Sequence, residues 1–276
     1  MIIKSKRIFL FFIGAISIMW ATQSLAVAPI NMLVSENKLQ ASIPVSPAIT
    51  LDVTVEFENS VGLNADSIVV EAFLIPVNDI SVLSRINSSA VNLHPDFPVL
   101  LRISPKEGKG FSFEGLASVE IYTKAIDYQS GMPAKIFTAH AGGDFEDITS
   151  MVSAGSLRAR GNMGRFSDFI IVLDERSLQE DIESKLARIE QILTLNQIGF
   201  NGILLNQLQA ATNVLETAVL LNNVDQALLL TDNFIHLIDG LDGAQIDNVW
   251  RSSNDLVNVK GDLLSVLKAL RYRLRL

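Results

Sequence analysis

Cysteine is absent from all 276 residues. That excludes disulfides, thiol catalysis and thiolate metal sites, and an exported chain without them depends on its own core. It also points to a bacterial protein rather than a small eukaryotic secreted scaffold. Histidine is scarce. His94, His140 and His236 lie far apart, with no H-x-x-x-H pair to hold zinc from one helical face. Neither a G-x-S-x-G elbow nor a phosphate-binding loop occurs. Excess basic charge is missing too: 22 Lys+Arg stand against 30 Asp+Glu, a net −8. Such a chain repels phosphate backbones at long range, which argues against nucleic acid as a partner. No internal repeat or low-complexity linker is visible. Of the catalytic classes, paired carboxylates for glycoside hydrolysis stay open, because their members can be distant in sequence.

What is present starts with an N-terminal pattern. Met1–Arg7 carries Lys4, Lys6 and Arg7 and no acid. An apolar run follows from Ile8 to Trp20, then Ala-Thr-Gln-Ser-Leu-Ala-Val-Ala-Pro. These are the three regions of a secretory signal peptide. The run falls short of the roughly 20 residues that span a bilayer. Cleavage after Ala28 would place Pro29 first, which signal peptidases disfavour; cleavage after Ala26 avoids this. The expectation is a signal peptide over 1–26 and an exported mature chain starting at Val27, periplasmic or at the cell surface. No Cys follows to carry a lipoprotein anchor. Losing Lys4, Lys6 and Arg7 moves the formal charge from −8 to −11.

Two periodicities divide the rest. Ile49–Phe57 alternates apolar with polar in strict period two, the mark of a half-buried strand. Further strands are expected at Ser67–Ile75, Val99–Ile103, Ala117–Ile126 and Lys135–His140, with glycine-bearing turns between them. Residues 76–97 read as a long loop with a helical turn. Phe166–Val172 is a dense apolar run closing this half at Asp174. Short strands at this spacing predict an antiparallel β-sandwich-like domain over 27–174. From Ser177 the period changes. Ser177-Leu-Gln-Glu180 is a capping box, and Ile182, Leu186, Ile189 and Leu193 mark one helical face. A second helix is expected over Ile203–Leu221, and a third from the Asn223 cap to Ile238. A fourth is expected from Ala244, carrying Ile246, Val249, Trp250, Leu256, Leu263, Leu267 and Leu270. The fold class is therefore α+β by segregation, with a four-helix antiparallel bundle over 175–276.

The phrases LDVTVEFENSVGLNADSI, VEIYTKAIDYQSGMPAKIFTAHAGGDFEDIT and GSLRARGNMGRFSDFIIVLDER resemble, together, an uncharacterised family of secreted Gram-negative bacterial proteins. The resemblance covers about residues 30–176 and implies a β-rich front, a helical tail and export, with no activity attached. The G-x-FSDF stretch is similar to the closing strand of many extracellular sandwich modules. The tail, above all QALLLTDNFIHLIDGLDGAQI, resembles helical modules at the ends of bacterial surface proteins.

Each candidate for chemistry has a plainer alternative. Arg165-Phe166-Ser167 resembles the His-Phe-Ser of self-cleaving sandwich domains, but an arginine cannot accept the serine's proton. It reads better as a strand anchored by Phe166 and Phe169. Asp144, Glu146 and Asp147 put three carboxylates in one turn, which could attract calcium; they lack EF-hand spacing and read as a solvated turn capped by Asp147. Asp239 and Asp242 around Gly240 read as a helix stop and start. His236 reads as a packed or boundary residue, and His140, near the acids, as a conceivable metal or acid–base group. Arg158 and Arg160 share one strand face. Lys268, Arg271, Arg273 and Arg275 complement the last helix's dipole, or meet anionic lipid headgroups.

No catalytic, cofactor-binding or metal residue is assigned. The expected function is an exported non-enzymatic binding or structural protein of the bacterial envelope. The sandwich would bind and the bundle would dock, with another envelope protein or a surface glycan as partner. The rival is a secreted hydrolase using dispersed carboxylates or His140.

Overall fold

The computed structural model describes residues 26–200 and 202–276. The expected signal peptide lies outside the described residues except for Ala26, which pairs with Phe73. Among the described residues, fourteen strands form two seven-stranded antiparallel sheets, and five α-helices make the chain mixed α+β.

The first sheet runs β1 (Ala26–Val27), β5 (Ile68–Leu74), β7 (Val99–Pro105), β13 (Ser167–Asp174), β9 (Ala134–Ala139), β10 (Glu146–Asp147), with β6 (Val91–Leu93) also on β13. The second runs β11 (Thr149–Ser153), β12 (Gly155–Met163), β8 (Ser112–Tyr128), β4 (Ile49–Val61), β3 (Lys38–Ser46), β2 (Asn31–Ser35), with β14 (Val249–Arg251) also on β8. The period-two pattern sets their burial. Ile49, Leu51, Val53, Val55 and Phe57 are buried along β4, and Leu39, Ala41, Ile43 and Val45 along β3. These side chains share one apolar cluster with Val70, Leu101, Ile103, Phe169 and Ile171 of the first sheet.

β13 does not alternate because both its faces are covered. Phe169 and Ile171 enter the shared core, whereas Ile170 and Val172 pack under Val82, Ile86 and Val91. The long 76–97 connection supplies that cover, through the short α1 (Ile80–Leu83) and β6. It explains the unbroken apolar run seen in the sequence.

Four longer helices follow: α2 (Leu178–Leu195), α3 (Gly202–Leu220), α4 (Val224–Asp239) and α5 (Val259–Leu274). The capping box forms: Ser177 Oγ accepts from the Glu180 amide at 3.2 Å, and Glu180 Oε2 accepts from the Ser177 amide at 2.9 Å. Asn223 caps α4 through the Gln226 amide at 3.2 Å. Each helix packs on the next, and α5 closes back on α2.

The expected fourth helix needs correction. Residues 244–258 hold a turn, β14 and a loop, and α5 begins at Val259. The 239–242 segment therefore stops α4, with Gly240 at its C-cap, but starts no helix; the Asp242 carboxylate accepts from the Ala244 amide. Trp250 leaves the helical cluster for the sheet core, with its ring against Phe166 at 5.1 Å, Phe113 at 5.6 Å and Phe111 at 6.2 Å. Leu256, expected among the apolar residues of that helix, is exposed. A tertiary contact wins here: burying a tryptophan among phenylalanines is worth more than continuing a helix through Asp247 and Asn248.

α5 is set directly on the sheets. Asn258 caps it through the Gly261 amide at 2.8 Å and donates to the Gly115 carbonyl at 2.6 Å. Gly164 and Gly261 cross at close range. A Cβ on Gly261 would lie 2.7 Å from Gly164 Cα, and one on Gly164 would lie 2.6 Å from the Asp262 amide. Gly261→Val is expected to destabilise the fold by about 1–3 kcal/mol through this overpacking. Urea unfolding of variant and parent would measure it; an unchanged midpoint would mean the crossing is loose.

Candidate functional site

A cavity of about 560 Å³ lies where the β9–β10 edge of the first sheet meets α2 and α5. Phe137, Phe145, Met163 and Val266 give it an apolar lining. Its formal charges are Lys185, Arg165, Arg176 and Arg188 against Asp144, Glu146, Asp147 and Asp262. Four of each sign cancel. The volume falls in the range of small-molecule sites, which are apolar clefts with a few placed polar groups.

His140 follows the end of β9 and lines this cavity. Its Nδ1–H donates to the Phe166 carbonyl at 2.6 Å, so that Nε2 is the acceptor when the ring is neutral. Burial pushes its pKa down, partly offset by that hydrogen bond. Glu146 lies opposite Thr138 in the β9–β10 register. Burial pushes its carboxyl up, against Arg188 at 2.8 Å. Arg165 binds Asp262 through two nitrogens, so the arginine of the Arg-Phe-Ser triplet ties β13's start to α5. Ser167 Oγ donates to the Arg165 carbonyl at 3.2 Å, and Phe166 and Phe169 are core residues.

Behind the cavity lies a buried charge cluster. Asp147 (β10), Asp174 (the end of β13) and Asp181 (α2) bring carboxylate oxygens within 4.8 Å of one another. That spacing would suit a cation, and the Lys135 ammonium takes the position. It lies 2.5 Å from Asp181, 2.8 Å from Asp174 and 3.1 Å from Asp147. Lys185 bridges Asp147 at 2.7 Å and also contacts Asp181. Arg176 pairs with Asp174 at 2.6 Å, and Arg273 reaches Asp181 at 3.1 Å. Burial alone would raise Asp147's pKa, but Lys185 and Lys135 outweigh it and hold the carboxyl well below its usual range. Asp174 is lowered in the same way, with burial opposed by Arg176 and Lys135. Burial would lower the Lys135 pKa, but Asp147, Asp181 and Asp174 raise it. Three carboxylates and four cations make this a charged clamp between sheet and helices.

The other sequence candidates separate. The acids at 144–147 do not share a ligand: Asp144 accepts from Asn87 at 3.0 Å, Glu146 faces Arg188, and Asp147 enters the clamp. Asp147 also accepts from the Thr149 amide at 2.8 Å, the cap expected of it. His94 is buried, with Nδ1 accepting from the Asp96 amide at 3.2 Å. His236, read as packed or at a boundary, is exposed in the last turn of α4. Arg158 and Arg160 share Glu120. Arg271 and Arg275 face Asp232 at 3.5 and 3.7 Å, so acids meet part of the basic C-terminal group.

Lys135, Arg176, Asp181 and Lys185 were missed as site residues. A signal existed: Asp181 and Lys185 fall on the Ile182–Leu186–Ile189 stripe, where a solvated charge does not belong.

A family model matches residues 14–276. The chain belongs to DUF6689, a family of unknown function. No curated protein and no solved structure matches this DUF6689 chain. No described helix is long and apolar enough to cross a membrane.

Proposed function

We propose that this DUF6689 chain is an exported, non-enzymatic binding protein of a Gram-negative envelope. In this reading the two sheets form a sandwich over 27–174, and α2–α5 form an antiparallel bundle packed on its edge. The bound molecule sits in the cavity between them. The observation that carries the reading is the cavity's balanced charge over an apolar lining. A pocket whose charges cancel has little long-range preference for an ion. It offers fixed hydrogen-bonding groups, with Asn87 and Gln191 beside the ion pairs. Those features suit a neutral hydroxyl-rich ligand, a surface glycan. The signal-peptide pattern of residues 1–26 supports export.

Neutral oligosaccharides titrated calorimetrically against the chain test this. Ala187 is exposed on the cavity wall, so Ala187→Trp should fill the mouth without disturbing the core. Expected are binding by the parent and at least a tenfold loss in the variant, roughly the effect of a clash at a pocket mouth. Binding that survives Ala187→Trp would place the ligand elsewhere.

One observation favours a second reading, a hydrolase. The His140 pKa is lowered, Nε2 has no hydrogen-bond partner among the described residues, and the ring shares the cavity with Glu146, a carboxyl whose pKa is raised. Turnover of a bound glycan that His140→Ala abolishes, with binding retained, would replace the binding reading by this one.

A further inference from the structure

α3 carries two stripes. Leu204, Leu208, Thr212, Leu215 and Val219 face inward and are buried. The opposite stripe is exposed and recurs at the same spacing: Ile203, Gln207, Ala210, Asn213, Val214, Thr217 and Leu220. Apolar members are widely open to solvent, with Ile203 at 75%, Val214 at 52% and Leu220 at 68%. In the turn before α3, Ile198 is fully exposed. Charge is almost absent: from Gln191 to Val224 the only charged residue is Glu216. An outward helix face usually carries charge for solubility, and here it does not.

We propose that this face of α3 is the seat of a second copy of the chain, paired antiparallel about a two-fold axis at Ala210. Three observations select that occupant. The chain carries a net charge of −8, so two copies repel unless they meet where charge is missing, as here. A two-fold interface must complement itself, and carboxamides do so because each both donates and accepts, whereas a face of one charge sign does not. The order of residues along the stripe suits antiparallel pairing. Small Ala210 lies at the crossing, Gln207 comes opposite Asn213 of the second copy, and apolar Ile203 and Leu220 stand towards opposite ends. A hydrocarbon surface fits less well, since it would leave these carboxamides without partners. The pairing is independent of the cavity and of what it binds.

Sedimentation velocity on the chain across the micromolar range is the test. A dimer is expected for the parent. Ala210→Glu sets like charges together at the axis and should raise the dimer dissociation constant by about a hundredfold. Ala210 is exposed, so circular dichroism and the melting temperature should stay at parental values. Mixing Ala210→Glu with Ala210→Lys should restore dimers, now of one copy of each, which a merely unfolded variant could not do. A parent that stays monomeric overturns the proposal, as does a dimer indifferent to Ala210→Glu, whether the face then serves another protein or nothing.

Discussion

Lys135→Met should cost about 3–5 kcal/mol, the scale for removing one partner from a buried ionic cluster. The methionine nearly conserves volume, so the loss is electrostatic: Asp147, Asp174 and Asp181 would keep their burial and lose the ammonium that touches all three. The pH dependence separates this from a packing defect. Asp147 and Asp174 have folded pKa values below their unfolded ones. A depressed carboxylate adds stability that is full above its unfolded value, about 3.9 for aspartate, and fades as pH falls through the folded value. Lys135 acts in the opposite sense: its raised value adds stability below about pH 10, lost as pH climbs through the folded value. The gap between parent and variant should thus be widest at neutral pH and narrow in acid below about pH 4. Urea unfolding at a series of pH values measures it. A gap that stays constant in acid would show that the clamp contributes packing rather than charge.

Trp250→Ala should lose a comparable amount, about 3–5 kcal/mol, because the ring leaves a cavity among Phe111, Phe113 and Phe166. Leu256→Ala is the informative control. A helical reading of 244–258 counts both residues among one helix's apolar contacts and predicts a sizeable loss at each. The observed strand and loop predict a change within about 0.5 kcal/mol for the exposed leucine. Matching losses would restore the helix. The result also bears on how the halves cooperate. β14 adds to the second sheet from within the helical segment, so Trp250 couples helix packing to the sheet core.

The strands at Ile49, Ser67, Val99, Ala117 and Lys135, the capping box at Ser177 and the starts of α2, α3 and α4 were legible from period and cap alone. These are local signals, in which a side chain's fate follows from its neighbours a few residues away. Trp250 was illegible for the converse reason: its spacing of four from Ile246 mimics a helix, and its partners lie far off at Phe111, Phe113 and Phe166. The candidate site divides likewise. His140, Asp144, Glu146 and Asp147 stood out as neighbours in the chain. Asp174, Asp181, Lys185 and Arg273 come to Lys135 from the ends of other elements, and single charges in strands and helices ordinarily face water.

Composition, charge balance and periodicity thus established a cysteine-free, acidic, mixed α+β chain with strands first and helices after, because each is a sum or a short-range pattern. Folding alone brought Lys135 among three aspartates, closed the cavity beside His140 and turned an apparent helical turn into a strand. Those outcomes depend on which distant side chains meet in a low-dielectric interior, where one added partner reverses the cost of burying a charge.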